Sequence, residues 1–438
     1  MPFHLNRIAM SWMGRSNPGA MSKPIQTTHA SLEKWVDQMT ALCTPKSAER
    51  CGPHLKSNFL GLILCCLSLG VASSFANAQN APKSAPPQVV VQPTPAIAVY
   101  RWGAANTSGG APANEAYAKW LNQPVVWAED FTPTERWDGI EGGNWQLAEW
   151  SKWKKAVPGR RLILSVVILP GGWDRGGPKG KDGKYTRVSH AAGARGEYNE
   201  HFKILANNLI KYGLEDSILR LAWEFNGGWY TSRASDDVKG FIGYWQQIVT
   251  TMRAVPGAEK LQYCWNPAQS WLQFPADQAW PGDQYVDIVG LDFYDQTWAK
   301  NIYPWPKDAT PEEIEKRQRL AWDDIYKGTY GLLFWRDFAI KHNKPFSLPE
   351  WGLCIRGDGH GGGDNVHYIE QVHKFINDPA NKVVFHCYFD VEAPDGGHQL
   401  SPGFNTNAHE TKFPKSAARF KELFGGKAAA SPAPAPQP

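Results

Sequence analysis

Two glutamates stand at the ends of short apolar runs, in contexts that match each other. Glu224 follows the run 218–223 and Glu350 follows the run 346–349, and an aromatic residue and a glycine come soon after each acid. Two carboxylic acids on either side of a glycosidic bond can hydrolyse it, one by protonating the leaving oxygen and the other by attacking the anomeric carbon. The matching contexts therefore predict that Glu224 and Glu350 are the catalytic pair of a glycoside hydrolase.

The neighbours of each acid indicate its role. Aromatic residues flank Glu224, and we expect them to raise its pKa, as a general acid requires. Tyr294 ends another apolar run and is the predicted hydrogen-bond donor to Glu350, which as a nucleophile must stay ionised. Arg220 lies four residues before Glu224, on the same side of a strand of period two, and either fixes the carboxylates or forms a structural ion pair.

Eight apolar runs are spaced along the chain after its first 95 residues. They span residues 97–100, 125–127, 162–169, 218–223, 261–265, 286–293, 346–348 and 383–389. Most are continuously hydrophobic rather than alternating, which is typical of parallel strands covered on both faces.

Helical patterns fill the intervals between these runs. Residues 241–252 carry a core-facing stripe, and 312–342 reads as a helical stretch that Gly328 and Gly331 break in two. The alternation predicts an α/β fold, a single (β/α)8 TIM barrel, with a doubly wound open sheet as the alternative. In such a barrel the catalytic groups lie at the C-terminal ends of the strands, where Glu224 and Glu350 fall.

Tryptophan is abundant, with 21 residues in 438. Members at or just beyond seven of the runs are Trp102, Trp127, Trp173, Trp229, Trp271, Trp298 and Trp351. Flat rings stack on the apolar faces of sugars, so this placement favours an open cleft for a polysaccharide. Trp145, Trp150 and Trp153 recur at helical spacing and are expected in the core.

Other acids leave the catalytic pair open at this stage. Glu129, Asp130, Asp292 and Asp390 also stand near run ends, so a different pair is the alternative. The glycine-rich segment 357–364 lacks the lysine and the spacing of a phosphate-binding loop and is interpreted as a flexible loop over the cleft. The histidines are not at zinc-ligand spacing, so we predict no metal and no cofactor.

The N-terminal region carries the pattern of an export signal. A 13-residue apolar run, 59–71, follows Lys56 and precedes Ala76-Asn77-Ala78, a cleavage-site pattern. The run is too short to span a bilayer stably, which argues against a membrane anchor. We therefore expect a cleaved signal region 1–78, a Pro-rich linker 79–95, the barrel domain 96–426 and a disordered Ala/Pro-rich tail 427–438, in a secreted or periplasmic protein.

Charge and cysteine content narrow the partners. The signal region holds seven of the 46 Lys and Arg and three of the 42 Asp and Glu, which leaves 39 of each in the mature chain. A neutral chain has no basic surface for phosphate backbones, so no nucleic-acid partner is expected, and we expect a monomer that acts on a neutral polymer. Cys264, Cys354 and Cys387 remain after processing, and we expect them to be buried.

Residues 96–426 resemble glycoside hydrolase family 26, whose members are retaining (β/α)8 glycosidases that include β-mannanases, mixed-linkage β-glucanases and β-1,3-xylanases. The most specific piece is 220–229, which is similar to the family pattern of Arg, a short gap, His-Glu, any residue, Asn-Gly, any residue, Trp. The resemblance implies that Glu224 is the acid/base, that Glu350 is the nucleophile and that Tyr294 contacts it.

One departure concerns the substrate. Trp223 stands where the family has a histidine that helps to bind sugar, and an indole cannot accept hydrogen bonds as an imidazole does. The expected function is an endo-acting retaining β-glycan hydrolase, β-mannanase-like or β-glucanase/xylanase-like. The alternatives are a non-catalytic carbohydrate-binding barrel and a hydrolase that trims the organism's own exopolysaccharide. The predicted substrate-binding residues are Arg220, Trp223, Asn226, Trp229, Asp292, Tyr294, Trp298, Trp351, Trp173 and Trp271.

Overall fold

The computed structural model describes residues 94–103, 107–171, 176–179, 183–270, 272–393, 396–404 and 410–426. Eight strands form one sheet. They are β1 (Ala96–Arg101), β2 (Trp127–Phe131), β3 (Arg161–Val166), β4 (Ile218–Leu221), β5 (Gln262–Trp265), β6 (Ile288–Tyr294), β7 (Phe346–Gly352) and β8 (Val383–Asp390). Two short hairpins, Gly176–Lys179 with Tyr185–Arg187 and Glu392–Ala393 with Gly396–Gly397, follow β3 and β8.

The sheet curls into a nearly closed barrel. Its order is β1-β8-β7-β6-β5-β4-β3-β2, every hydrogen-bonded neighbour is parallel, and β1 lies beside β2. The predicted (β/α)8 barrel is therefore confirmed. All eight strands end at the same rim, so residues after β4, β6 and β7 meet there.

Helices cover the outside of the sheet. They are α1 (Gly110–Leu121), α2 (Trp137–Ile140), α3 (Asn144–Ala156), α4 (His190–Ala194), α5 (Asn199–Lys211), α6 (Val238–Arg253), α7 (Pro311–Lys327), α8 (Leu332–Lys341), α9 (Val366–Asn377) and α10 (Pro414–Phe424). The predicted helical stretch 312–342 is divided into α7 and α8, with Gly328 and Gly331 between them. Glycine disfavours the helical conformation, so neither residue extends a helix. Thr310 caps α7 by accepting a hydrogen bond from the Glu313 N–H at 3.3 Å.

The second strand differs from its prediction. The apolar run 125–127 only leads into β2, and Trp127 begins the strand instead of ending it. The indole therefore lies at the N-terminal rim, where Arg161 stands 5.1 Å from its ring, and the predicted place for Trp127 near the catalytic face is wrong. Two acids inside the strand, Glu129 and Asp130, hid it from the hydrophobic pattern, because both are buried through polar partners.

Two apolar cores stabilise the barrel. Small and branched side chains such as Ala98, Ile218 and Ile288 fill its interior, and a larger aromatic-rich core lies between the sheet and the helices. Cys264, Cys354 and Cys387 are buried and form no disulfide with one another, as expected of small hydrophobes. Trp150 and Trp153 lie in the outer core, but Trp145 does not, since 67% of its surface is exposed.

Some expectations fall on residues that the structure does not describe. The signal region 1–78, most of the linker 79–95 and the tail 427–438 lie outside the described residues. Among the helices that are described, none combines the length and the apolar character that a membrane span needs.

Candidate active site

A buried arginine is the centre of the polar network inside the barrel. Arg220 lies on β4 between apolar neighbours, and its side chain has no exposed surface. Its acceptors are Asn266 Oδ1 at 2.7 Å, Ser165 Oγ at 3.0 Å, Asp292 Oδ2 at 2.6 Å, Glu350 Oε1 at 2.9 Å and Glu129 Oε1. Burial by itself lowers the pKa of Arg220, but the carboxylates of Asp292 and Glu350 outweigh it and raise the pKa above its ordinary value. One cation thus serves three carboxyl groups from three strands.

Both carboxylate oxygens of Glu350 are held by donors. Arg220 Nη2 donates to Oε1 at 2.9 Å, and the Tyr294 hydroxyl donates to Oε2 at 2.7 Å. The parallel pairing of β6 and β7 sets Asp292 opposite Glu350, and the Glu350 N–H donates to Asp292 Oδ1 at 3.0 Å. The side chain of Glu350 is therefore fixed in one orientation at the end of β7, as a nucleophile requires.

Glu224 is presented on a tight turn immediately after β4. Ala222 and Glu224 both have positive φ, 48° and 53°, in the left-handed region that non-glycine residues rarely occupy. Such conformations concentrate at functional sites, where the surrounding structure holds them. The Glu224 N–H donates to the Asn266 carbonyl at 2.8 Å, and the Trp229 indole N–H donates to Glu224 Oε2 at 2.7 Å. Between Ala222 and Gly227, Glu224 is the one residue that is not buried.

The charges of Glu224 and Glu350 influence the pKa values of the same two neighbouring residues, Asp292 and Tyr294. Burial raises the pKa of Asp292 well above its ordinary value; Arg220 opposes this shift, and the charges of Glu350 and Glu224 add to it. Burial also raises the pKa of Tyr294, and the same two glutamates raise it further. Glu224 and Glu350 therefore share one electrostatic environment at the barrel mouth.

Two predicted sugar contacts are placed in the core. Trp223 is 3% exposed and packs against Phe131 and Tyr230, with ring centroids 5.1 and 4.7 Å away. Trp351 is fully buried against the helices. In a strand successive side chains point to opposite faces, so Trp351 faces outward because Glu350 faces inward. Neither indole stands where the predicted sugar contact requires it.

The remaining predicted residues divide by position. Trp229 contacts Glu224, whereas Asn226 is buried and exchanges two hydrogen bonds of 2.8 Å with the backbone of Ala268, so it ties two loops together. Trp298 is 58% exposed and has the His360 ring stacked 5.3 Å from its own. Trp173 and Trp271 lie outside the described residues.

Several residues of the network were missed as site residues. The sequence marked Glu129 only as one of several acids near run ends. In the structure it belongs to the network, since its Oε1 atom accepts hydrogen bonds from Arg220 and from Ser165 Oγ at 2.9 Å. Asn266 follows β5 and bonds both to Arg220 and to its own loop. Glu129 carried a signal, namely an acid within reach of a strand end, but Ser165 carried none, because a serine inside an apolar strand is common.

Asp390, one of the alternative candidates for the catalytic pair, has structural partners and does not belong to the Arg220 network. Asp390 pairs with Arg101 at 2.8 Å and accepts from the Leu400 and Ser401 N–H groups, so its oxygens are occupied by structural partners. Among the described residues no group of three or more His, Cys, Asp or Glu side chains is arranged to hold a metal ion. The carboxylates that do converge meet at the guanidinium of Arg220.

Comparison with known proteins gives one family match. The sequence model of glycosyl hydrolase family 26 matches residues 204–307, which contain Arg220, Glu224, Asp292 and Tyr294 and end before Glu350. No curated protein matches the sequence. The chain resembles this family, and the match supports a glycoside hydrolase.

Solved structures of mannanases are similar in fold. A Cellulomonas fimi endo-β-1,4-mannanase double mutant is 15% identical, with a TM-score of 0.48 over 75% of this chain and 70% of that one. The catalytic domain of a Bacillus sp. JAMB-750 GH26 endo-β-1,4-mannanase is 17% identical, with a TM-score of 0.48 over 75% and 84% of the two chains. A Bacillus subtilis mannanase, BCman, is 13% identical, with a TM-score of 0.45 over 76% and 86%.

Proposed function

We propose that this protein is an endo-acting hydrolase that cleaves internal linkages of a β-linked polysaccharide. It acts by double displacement, with Glu224 as the acid/base and Glu350 as the nucleophile. The observation that carries the proposal is the fixed carboxylate of Glu350, held by Arg220 and Tyr294 at the rim where Glu224 reaches solvent. A nucleophile and an acid presented from different strands at one barrel mouth are what retaining hydrolysis needs.

The two steps use each acid twice. In the first step an oxygen of Glu350 bonds to the anomeric carbon while the bond from that carbon to the leaving oxygen breaks, and Glu224 gives its proton to the leaving oxygen. In the second step a water oxygen bonds to the anomeric carbon, the bond to Glu350 breaks, and Glu224 takes the proton of the water. The product keeps the configuration of the substrate.

The neighbours of Glu350 support its part. Arg220 and Tyr294 each donate to a different oxygen, so the attacking oxygen keeps its direction before substrate arrives. A positioned nucleophile needs less reorganisation in the transition state. The buried Asp292 orients the backbone at Glu350 by accepting from its N–H group.

Trp223 bears on the choice of substrate. Its indole fills the space between Phe131 and Tyr230, at the position where the family pattern has histidine. A histidine there could accept a hydrogen bond from a sugar hydroxyl, whereas the indole of Trp223 has no acceptor and is buried in the core. We therefore expect a substrate preference that differs from that of the mannanases.

A panel of polysaccharides tests the activity. The purified mature domain is incubated with mannans, mixed-linkage glucans, xylans and bacterial exopolysaccharides, and new reducing ends are measured beside the Glu224→Ala and Glu350→Ala variants. We expect one class to be cleaved and both variants to be inactive on it. Retardation of the protein in a native gel that contains a polysaccharide, without any cleavage of that polysaccharide, would support a carbohydrate-binding barrel instead.

We also propose that the protein is exported. The apolar run 59–71 and the Ala76-Asn77-Ala78 motif support this proposal. N-terminal sequencing of the protein recovered from the periplasm or the medium should give a chain that begins at Gln79. A chain that stays in the cytoplasm with residues 1–78 attached would contradict it.

A further inference from the structure

Tyr230 lies on the loop that presents Glu224, and its ring packs on that of Trp223. The centroids of the two rings are 4.7 Å apart. Trp223 is 3% exposed, whereas Tyr230 keeps part of its surface exposed. Tyr230 is therefore the outer ring of this pair, and it is the one that a substrate can contact.

The Trp223 ring continues inward to the arginine that holds the nucleophile. Phe131 packs against Trp223 with ring centroids 5.1 Å apart, and the guanidinium carbon of Arg220 lies 5.7 Å from the centre of the Phe131 ring. Arg220 in turn donates to Glu350 at 2.9 Å. Tyr230 thus stands at the outer end of a row of aromatic rings whose inner end is the catalytic network.

Both catalytic acids influence the Tyr230 hydroxyl. Burial raises the pKa of Tyr230 well above its ordinary value, and the charges of Glu224 and Glu350 raise it further. Charges have such an effect only on groups that are near them, so the hydroxyl lies close to both carboxyl groups. The bond that is cleaved must lie between these two acids, and the sugar that carries it therefore comes within reach of the hydroxyl.

The hydrogen-bonding capacity of this hydroxyl is unused within the described part of the chain. The Tyr230 hydroxyl bonds to none of the described residues and, unlike the hydroxyls of Tyr117 and Tyr263, it is not closed off from solvent. A tyrosine hydroxyl can both donate and accept a hydrogen bond, and the raised pKa keeps its proton in place at neutral pH. The neighbouring rings of Trp223 and Phe131 offer no acceptor, so Tyr230 supplies one at this part of the mouth.

Two other tyrosines near the rim are less available to a substrate. The Tyr294 hydroxyl already donates to Glu350 at 2.7 Å. Tyr100, near the end of β1, is 8% exposed, and after burial it is the charge of Asp130 that raises its pKa most. Tyr230 is thus the tyrosine that combines an accessible hydroxyl with the influence of both glutamates.

We propose that Tyr230 is a substrate-binding residue whose hydroxyl forms a hydrogen bond with the sugar unit that Glu350 attacks. The inference rests on the proposed function, because it places that sugar between Glu224 and Glu350. A site that forms a hydrogen bond with a sugar hydroxyl discriminates against sugars that lack this hydroxyl or direct it elsewhere. Tyr230 therefore contributes to the choice of sugar at the reaction centre.

Binding without turnover tests the contact independently of catalysis. Tyr230→Phe removes the hydroxyl and keeps the ring on Trp223. The variant is made in a Glu350→Ala background, and retardation is measured on native gels that contain soluble mannan, mixed-linkage glucan or xylan. We expect the affinity for the polymer that retards the background protein to fall about 5- to 10-fold. The melting temperature should not change, because the hydroxyl has no partner among the described residues.

Kinetics separate a contact with the sugar from a contact with the acids. In the catalytically intact protein, Tyr230→Phe should lower kcat/KM about 10-fold on a polysaccharide that the parent cleaves. The pH dependence of kcat/KM should keep both of its limbs, because the hydroxyl acts on the sugar and on neither carboxyl group. A shift of either limb would place the hydroxyl on a catalytic acid and overturn the inference.

Tyr326→Phe is the matched control. Tyr326 lies on α7, keeps part of its surface exposed and packs on Trp322 with ring centroids 5.5 Å apart. The variant therefore makes the same chemical change on a helix outside the barrel, and it should bind and cleave as the parent does. Losses in Tyr326→Phe equal to those in Tyr230→Phe would overturn a specific contact at Tyr230.

The remaining outcomes separate this inference from the proposed hydrolysis. If the parent cleaves a polysaccharide and Tyr230→Phe leaves both affinity and kcat/KM unchanged, the contact is overturned and the hydrolase stands. If Tyr230→Phe weakens retardation but the parent cleaves none of the polymers, the hydrolase fails and the sugar contact stands. Retardation by none of the polymers together with no cleavage overturns both.

Discussion

Two buried carboxyl groups, three residues apart near the end of β6, have different surroundings. Asp292 lies against the guanidinium of Arg220, 2.6 Å from Nη2, and its pKa is raised by burial and by the charges of Glu350 and Glu224. Asp295 accepts only from neutral side chains in the described structure, Asn365 Nδ2 at 2.8 Å and the Tyr303 hydroxyl at 3.2 Å. Burial raises the pKa of Asp295 to about 7, and those donors oppose the shift.

The difference separates a reactive cluster from a structural one. Around Arg220 several acids share one cation, so a change at any of them alters the charge that the others feel. Asp295 instead fastens the segment 357–364: it accepts from Asn365, and the Gly362 N–H donates to its carbonyl at 2.9 Å. Changes in the first cluster should therefore reach the reaction, whereas changes in the second should reach only stability.

The largest effects are expected from the two glutamates. Glu350→Ala removes the nucleophile and should lower kcat on the order of 10⁴-fold or more, and Glu224→Ala removes the acid/base and should lower it by about 10²–10⁴-fold. Azide distinguishes the roles: with a β-glycoside that has a good leaving group, Glu350→Ala should yield the α-glycosyl azide and Glu224→Ala the β-glycosyl azide. The opposite assignment of the two azides would exchange the roles of the acids.

Arg220→Met should come next. The variant leaves Asp292, Glu350 and Glu129 buried without their shared cation, so we expect the free energy of unfolding to fall by about 3–5 kcal/mol and hydrolysis to be lost. Urea unfolding followed by tryptophan fluorescence measures the first effect. Arg319→Met, which removes an ion pair with Glu315 in which both side chains are more than half exposed, is the matched control and should cost much less. Equal losses in the two variants would contradict the central place of Arg220.

Tyr294→Phe should have a smaller effect confined to the reaction. It removes one hydrogen bond to the Glu350 carboxylate while it keeps the ring, so kcat should fall about 10- to 100-fold. The KM should change little if the hydroxyl acts through Glu350. Kinetics on a polysaccharide that the parent cleaves check both constants, and a rise in KM at unchanged kcat would place the hydroxyl on the substrate instead.

Asp295→Asn should change stability and its dependence on pH, with kcat unchanged. The pKa of Asp295 lies at about 7 in the folded protein and at 3.8 ordinarily, so between these values the unfolded chain releases a proton that the folded protein keeps. Stability from this group is therefore present below pH ~4 and is lost as pH rises to ~7, by about 2–4 kcal/mol. Urea unfolding at pH 5 and pH 8 measures the free energy of unfolding, which should decline less between the two pH values in the variant than in the parent protein. The same decline in both proteins would contradict the assignment.

The sequence was sufficient for the fold where strands are apolar. Runs at 218–223 and 383–389 became β4 and β8 within a few residues, because parallel strands buried on both faces need continuous hydrophobic side chains. β2 was misplaced, because partners distant in sequence bury the acids within it. A hydrophobic pattern does not show which polar residues are buried by partners elsewhere in the sequence.

The site was predictable in part and for a definite reason. Period-two alternation turns Trp351 away from Glu350, a consequence that the sequence already contained. The meeting of Arg220 with three carboxylates depends on strands that are distant in sequence, so it could not be read from the pattern. The direction of Trp223 could not be predicted, because the left-handed conformations on both sides of it depend on tertiary contacts. The exposure of Trp145 was hidden in the same way, since helical spacing does not reveal which face a helix buries.

The stereochemistry of the first product tests the central claim most directly. A polysaccharide or oligosaccharide that the enzyme cleaves is incubated in an NMR tube, and the anomeric proton of the new reducing end is followed before mutarotation mixes the two forms. If Glu350 attacks and Glu224 protonates at one linkage, the β-anomer must appear first and the α-anomer only later. Initial release of the α-anomer would show a single displacement by water and would contradict Glu350 as a nucleophile.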